Sequence, residues 1–201
     1  DPIEFAGKKV IEVGPGPLAG YGPMAIFRGA ERVYSIDPDW IDGVFADAAV
    51  KDAYLRPHHA ALSEAFGSLM SLEEFCTRLS KRLTVVAVGI EAAKPRFKAD
   101  VVISNSCLEH IDGLETALTV LADLTATQAR FMHLVNFGNH RNRASPFETI
   151  YEMQPVEYCR LYGAHINLLR PSDVGRCFEA AGIQAEMTTV DRSTKSVEEL
   201  E

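Results

Sequence analysis

The chain has 201 residues, 47% of them hydrophobic and 24% charged, with a formal net charge of -8; this is enough apolar content for one well-buried domain and little for a second. The acidic balance speaks against a nucleic-acid partner, whose phosphates are gripped mainly by Lys and Arg. No apolar stretch approaches the roughly 20 residues that cross a bilayer, and the residues after Asp1 show neither the basic nor the apolar region of a secretory leader.

Short apolar runs alternate with segments of helical period, the pattern of a parallel sheet covered on both faces. The first run, Lys9 to Val13, ends at the turn Gly14-Pro15-Gly16-Pro17-Leu18-Ala19-Gly20. Pro23 suits the first turn of a helix that Gly29 can close. Arg32 to Ile36 is the second strand, with Asp37 at its tip. In the long connection from Pro38 to Arg82, His58 and His59 sit in a polar stretch and are expected to face solvent. Ser71-Leu-Glu-Glu74 is a capping box ahead of the apolar face Leu72, Phe75, Cys76 and Leu79. Leu83 to Val88 and Ala99 to Ser104 are the third and fourth strands, and Asp112 is expected to cap a helix with the face Leu114, Ala117, Leu118, Leu121 and Leu124.

Arg130 to Asn136 is the fifth strand. A second long connection, Phe137 to Arg170, mixes Phe147, Tyr151, Met153, Tyr158 and Tyr162 with Asn139, His140, Arg141 and His165, a composition suited to an apolar pocket with a few placed polar groups. Ser172 precedes a helix with Val174, Cys177, Phe178 and Ala181 on one face and Gly182 as its stop. Ile183 to Val190 reads as a sixth strand, and Arg192 to Glu201 has little apolar content.

The expected architecture is α/β: a doubly wound, mostly parallel, Rossmann-like sheet with helices on both faces, forming a single domain over residues 1–201 with a substrate-binding insertion at 137–170. Because it starts at Asp1 rather than Met, the sequence is expected to be a piece of a longer one. Cys76, Cys107, Cys159 and Cys177 are irregularly spaced, without C-x-x-C pairs, so neither zinc nor a disulfide framework is expected and a reduced, cytoplasmic protein is.

A buried strand that runs into a glycine turn and is answered by a carboxylate at the tip of the next strand describes a nucleoside-cofactor site. Gly14-Pro-Gly16-Pro-Leu-Ala19 satisfies dinucleotide spacing formally. A diphosphate, however, is held by backbone N–H groups, and Pro15 and Pro17 have none. Glu12 adds a negative charge beside the turn, which suits a ligand carrying an ammonium and a sulfonium, as S-adenosylmethionine does.

Taken together, Glu12-Val-Gly14-Pro-Gly16, Ile36-Asp37 and Asp100-Val-Val-Ile-Ser104-Asn-Ser-Cys-Leu108-Glu109-His110-Ile111 resemble the class I S-adenosylmethionine-dependent methyltransferases. Asn167-Leu-Leu-Arg170-Pro-Ser-Asp173 and Phe178-Glu-Ala-Ala-Gly182 are similar to that family's late segments. The resemblance implies that Glu12, Gly14 and Gly16 contact the methionine part of the cofactor, that Asp37 binds the ribose hydroxyls, and that Asn105 and Ser106 lie beside the methyl group; where the family usually has an acidic residue near the adenine amine, this chain reads Val88-Gly89-Ile90-Glu91, a departure that leaves Ile90 as the candidate packing partner for the base. The chain departs from the pattern in having Leu18 where a third glycine is usual, with Gly20 displaced, and in showing no closing antiparallel strand after Val190, which is either missing or beyond Glu201.

Methyl transfer asks the protein to position a nucleophile and, where it carries a proton, to remove it. His110 and His140 are the candidate catalytic bases, since imidazole works near neutral pH without a large shift. Asn136, Asn139, Tyr151 and Tyr158 are the candidate contacts for a small-molecule acceptor. His133, inside a strand, is expected to be structural. No Asp/Asp/Asn grouping of the magnesium-binding kind is evident, so metal-independent transfer is expected. A nicotinamide-dependent oxidoreductase and a non-catalytic module that binds S-adenosylmethionine are the rival readings.

Overall fold

The central strand of the sheet is also its most buried: in β1 (Lys9–Val13) Val10 and Ile11 are fully buried, as a strand covered on both faces requires. The computed structural model describes residues 3–17, 19–41, 43, 45, 47–141, 146–147, 150 and 153–190. These fall into two compact units, residues 1–105 with 123–134, and residues 106–122 with 135–201.

The first unit contains the whole described sheet. β1, β2 (Arg32–Ile36), β3 (Leu83–Val86), β4 (Ala99–Asn105) and β5 (Thr125–Leu134) are all parallel, in the order β3-β2-β1-β4-β5. Chain order reverses on either side of β1, so the carboxyl ends of β1 and β4 border a topological switch point, where open α/β sheets bind ligands. α1 (Gly22–Phe27), with Pro23 in its first turn, connects β1 to β2. The second connection holds α2 (Ala48–Val50), a π-turn (Lys51–Leu55), α3 (Arg56–Phe66) and α4 (Leu72–Arg82). Half of the predicted capping box is present: Ser71 Oγ accepts from Glu74 N at 3.1 Å, while the Glu74 carboxylate accepts from Arg78 instead of reaching back to the Ser71 amide. Phe27 of α1 meets Phe75 of α4 edge-on at 5.8 Å, within a core that includes Phe5, Val10, Ile26 and Val33.

In the second unit, a 3-10 turn (Leu108–His110) leads to α5 (Leu114–Asp123), whose predicted residues Leu114, Ala117, Leu118 and Leu121 are buried. α6 (Pro155–Tyr162) and α7 (Pro171–Ala180) follow, and Gly182 closes α7 at φ 73°. Among the described residues no helix is long and apolar enough to cross a membrane, and no disulfide forms.

The structure corrects several expectations. Residues 183–190 form no strand: Met187 and Val190 are exposed, and the apolar positions find no partner strand to repay their ordering. β3 ends at Val86 and β5 runs from Thr125 to Leu134, five residues earlier than the apolar pattern alone suggests. α5 begins one residue after Gly113, whose carbonyl accepts from Ala117 N, so Asp112 is not its cap. α7 starts from Arg170, whose amide donates to Asp173 Oδ2 at 2.8 Å, rather than from Ser172. His59 is half-buried between Phe27 and Phe75, with Nε2 2.9 Å from the Met70 carbonyl, and His58 is half-buried against Tyr54; an imidazole covers apolar surface as readily as it meets water.

Candidate functional site

The register of β1 on β2 builds the first cluster. Glu12 lies opposite Ser35, so the two side chains share a face of the sheet, and Val13 lies opposite Ile36, so Gly14 and Asp37 leave the two strand tips together. Glu12 turns inward and is fully buried; its carboxylate accepts from Ser35 Oγ at 2.7 Å, Tyr21 N at 2.5 Å and Gly22 N at 3.1 Å. It thereby pins the entry to α1. This explains the displaced glycine: a Cβ on Gly20 would lie 2.4 Å from Glu12 Oε1, and one on Gly22 would lie 2.8 Å from Oε2, so only glycine lets the carboxylate reach those amides.

Burial pushes the Glu12 carboxyl up to about 7, against the lowering effect of its three donors and with the Asp37 charge adding to the rise. A carboxyl whose folded value is raised stabilises most below its unfolded value near 4.5, and that contribution is lost as pH rises through about 7. Going from about pH 5 to pH 8 should therefore cost on the order of 3 kcal/mol from this group. Denaturant titrations should show Glu12→Gln flattening the slope; the same slope in the variant would refute the assignment.

Asp37, at the carboxyl end of β2, is buried, with Oδ2 accepting from Gly16 N and Oδ1 from Asp39 N, both at 2.9 Å. An ionised carboxylate offers about four acceptor positions, so two remain for a ligand diol. At Gly16 a Cβ would meet nothing within 4 Å, so the turn has open space beside this carboxylate. Ile90 is buried in a 3-10 turn after β3. These residues fit a ribose whose base packs on an apolar side chain. They suit a diphosphate less, because among the described residues the amides of Gly14, Gly16, Ala19, Tyr21 and Gly22 are already spent, on Ile36 O, Asp37, Gly16 O and, for the last two, Glu12. Asn105 closes β4 as an exposed residue. His133 pairs through Nδ1 with Ser104 Oγ at 2.7 Å, and burial pushes it down to about 4, a neutral structural histidine. A cavity of about 680 Å³ in the first unit is lined by Trp40, Phe45, Leu55, Leu72 and Leu79 and by none of the described glycine-turn residues.

The second unit gathers a different cluster. Ser106 takes a left-handed backbone at φ 47°, and the 3-10 turn after it carries Glu109 and His110. Asn167 clamps this turn from far along the chain, with Nδ2 donating to the Leu108 and Ile111 carbonyls at 2.8 and 3.0 Å and its amide to Glu109 O at 2.7 Å. Glu109 is buried; Oε1 accepts from Asn136 N at 3.2 Å and lies 3.8 Å from His140 Nε2. The His110 and His140 rings stand 5.0 Å apart. His110 Nδ1 is 2.5 Å from the His165 carbonyl, which can only accept, so that nitrogen is the donor and Nε2 is left free of this bond. Burial raises the Glu109 carboxyl and lowers the His140 imidazole, the latter helped by His110 and His165.

Of the predicted acceptor contacts, Asn139 is 2% exposed and spends its side-chain oxygen on Arg141 N. Asn136 is exposed, with its side chain on Gly138 N. Tyr158 is buried with its ring 6.0 Å from His165, and Tyr151 lies outside the described residues. Sequence reading missed Glu109, His165 and Asn167 as members of this cluster; the nearest signal was the polar pair in His165-Ile166-Asn167 amid an apolar stretch.

Residues 2–187 match the family model described as a methyltransferase domain. Among solved structures, the chain is similar to a chain of the complex between the Haloferax volcanii Trm112 methyltransferase activator and its assigned methyltransferase, at 14% identity and TM-score 0.54 over 92% of this chain and 65% of that one. It is similar also to an assigned O-methyltransferase of Nostoc punctiforme, at 13% identity and TM-score 0.53 over 90% of this chain and 46% of that one. An S-adenosylmethionine-dependent methyltransferase of Mesorhizobium loti aligns at 14% identity and TM-score 0.41 over 66% and 48% of the two chains. The chain spans about half the length of the Nostoc and Mesorhizobium proteins. No curated protein matches it in sequence.

Proposed function

Because the chain belongs to the class I S-adenosylmethionine-dependent methyltransferase family, we propose that it transfers a methyl group to an oxygen or nitrogen of a small-molecule acceptor. The observation that carries this reading is Asp37, a buried carboxylate at the tip of β2 that is tied to Gly16 of a turn with open space beside it. Asp37, Gly14, Gly16 and Ile90 are the residues that would hold the cofactor, which supplies a methyl carbon already activated by its sulfonium. Asn105 and Ser106 belong to the methyl end in this reading. Glu12 shapes the loop from inside rather than presenting a charge, so the preference for a cation rests on Asp37 and on the spent amides.

His110 and His140 belong to the acceptor end in this reading, and the 137–170 segment, including Tyr158 and Tyr151, is the acceptor-binding insertion of the single methyltransferase domain. A reducing, cytoplasmic setting and the absence of nucleic-acid substrates complete the reading, supported by the acidic net charge and irregular cysteine spacing. Calorimetric titration should give saturable binding of S-adenosylhomocysteine and none of NAD. A folded sample silent to millimolar S-adenosylhomocysteine, or one that binds NAD instead, would overturn the proposal. Cofactor affinity without turnover on any acceptor would favour a binding module.

A further inference from the structure

The second unit holds a concentration of unsatisfied polar atoms. Among the described residues, Glu109 Oε2, His140 Nε2, His165 Nε2 and the Tyr158 hydroxyl are all buried without a hydrogen-bond partner. Buried polar groups are nearly always paired, because each one left alone costs about 1–3 kcal/mol. Four of them, on three rings in successive contact and a carboxylate 3.8 Å from one of those rings, mark a place where something else supplies the partners. Three of the residues here, Glu109, His110 and His140, each offer one ligand atom, and those atoms lie within 4.8 Å of one another. Two ligands at about 2.1 Å from a common ion are at most about 4.2 Å apart, so small side-chain rotations close the set.

The geometry points to a divalent transition-metal site of the zinc class, with Glu109, His110 and His140 as protein ligands and at least one position left for water or an oxygen donor. Two imidazoles and a carboxylate are the donor set of three-ligand zinc sites that keep an open position. The surroundings are those of ligands rather than bases. His110 gives its Nδ1 proton to the His165 carbonyl, which orients the ring and leaves Nε2 for the metal, and Asn136 N holds Glu109 Oε1 while Oε2 stays available. Asn167 fixes the turn that carries both Glu109 and His110. Such a site reverses the expectation of metal independence and turns His110 and His140 from bases into ligands; an acceptor oxygen seated on the ion would be acidified directly.

Metal binding does not depend on methyl transfer and is tested without cofactor. Chelator-treated full-length protein titrated with Co2+ should take up one ion per chain, with visible d–d bands and no sulfur-to-cobalt charge-transfer band, and Zn2+ should displace it. His140→Ala and Glu109→Gln should each weaken binding by more than the roughly 10- to 100-fold that losing an outer-shell partner costs. His110→Ala, at an exposed side chain, gives the same test where a buried substitution would disturb folding, as monitored by circular dichroism. No uptake by folded protein, uptake that all three variants retain, or a thiolate charge-transfer band would each overturn the site. S-adenosylhomocysteine binding is expected to survive in all three variants, so loss of metal and loss of cofactor are separable results.

Discussion

Replacing Asp37 with alanine should weaken S-adenosylhomocysteine binding by roughly 1.5–3 kcal/mol, the range for a hydrogen bond to a charged group, or roughly 10- to 150-fold in Kd. The effect has two sources. The carboxylate is lost as acceptor for the ligand's hydroxyls, and Gly16 N and Asp39 N lose the oxygen atoms that fix the loop. Asp37→Asn separates them, since the amide oxygen can keep one backbone bond while the charge is gone; an intermediate loss is expected. Calorimetry on both variants checks the prediction, and affinity unchanged in Asp37→Ala would place the nucleoside elsewhere.

Glu12→Ala should be among the most destabilising substitutions in the first unit. It strands Gly22 N and Ser35 Oγ in a buried setting and Tyr21 N in a partly buried one. At about 1–3 kcal/mol for each buried donor left unpaired, the loss is about 2–6 kcal/mol, a large share of the roughly 5–15 kcal/mol that holds a typical domain. Glu12→Gln keeps one acceptor oxygen, enough for Gly22 N and the Ser35 hydroxyl, and loses only the bond from Tyr21 N, so it should be milder. Urea titrations at neutral pH compare the two; equal stability for Glu12→Ala and the parent chain would mean the carboxylate does not anchor α1.

Much of the first unit is written in local pattern. Val10, Ile11 and Val13 predict a buried strand because a parallel strand covered on both faces must be apolar throughout, and Ser71 with Glu74 predicts a helix start because four unpaired amides need acceptors there. Residues 183–190 show the limit of that pattern. Their apolar positions match a strand, but a strand is stabilised by its neighbour, and the sequence of one segment says nothing of whether a neighbour exists.

By itself the sequence determined the parallel α/β sheet, the glycine turn and the acidic tip of β2, because each depends on residues close together in the chain. The tertiary structure alone decided which way the carboxylates point. Glu12, which in sequence reads as a charge bordering a ligand loop, faces inward because its register with Ser35 and the glycines at 20 and 22 offer it three donors. Glu109, His110 and His140 share a site only because Asn136 N reaches Glu109 and Asn167 returns to clamp the same turn, contacts 27 to 59 positions apart in the chain. Periodicity and capping are short-range and legible in one dimension; a ligand set drawn from distant segments exists only once the backbone has closed on itself.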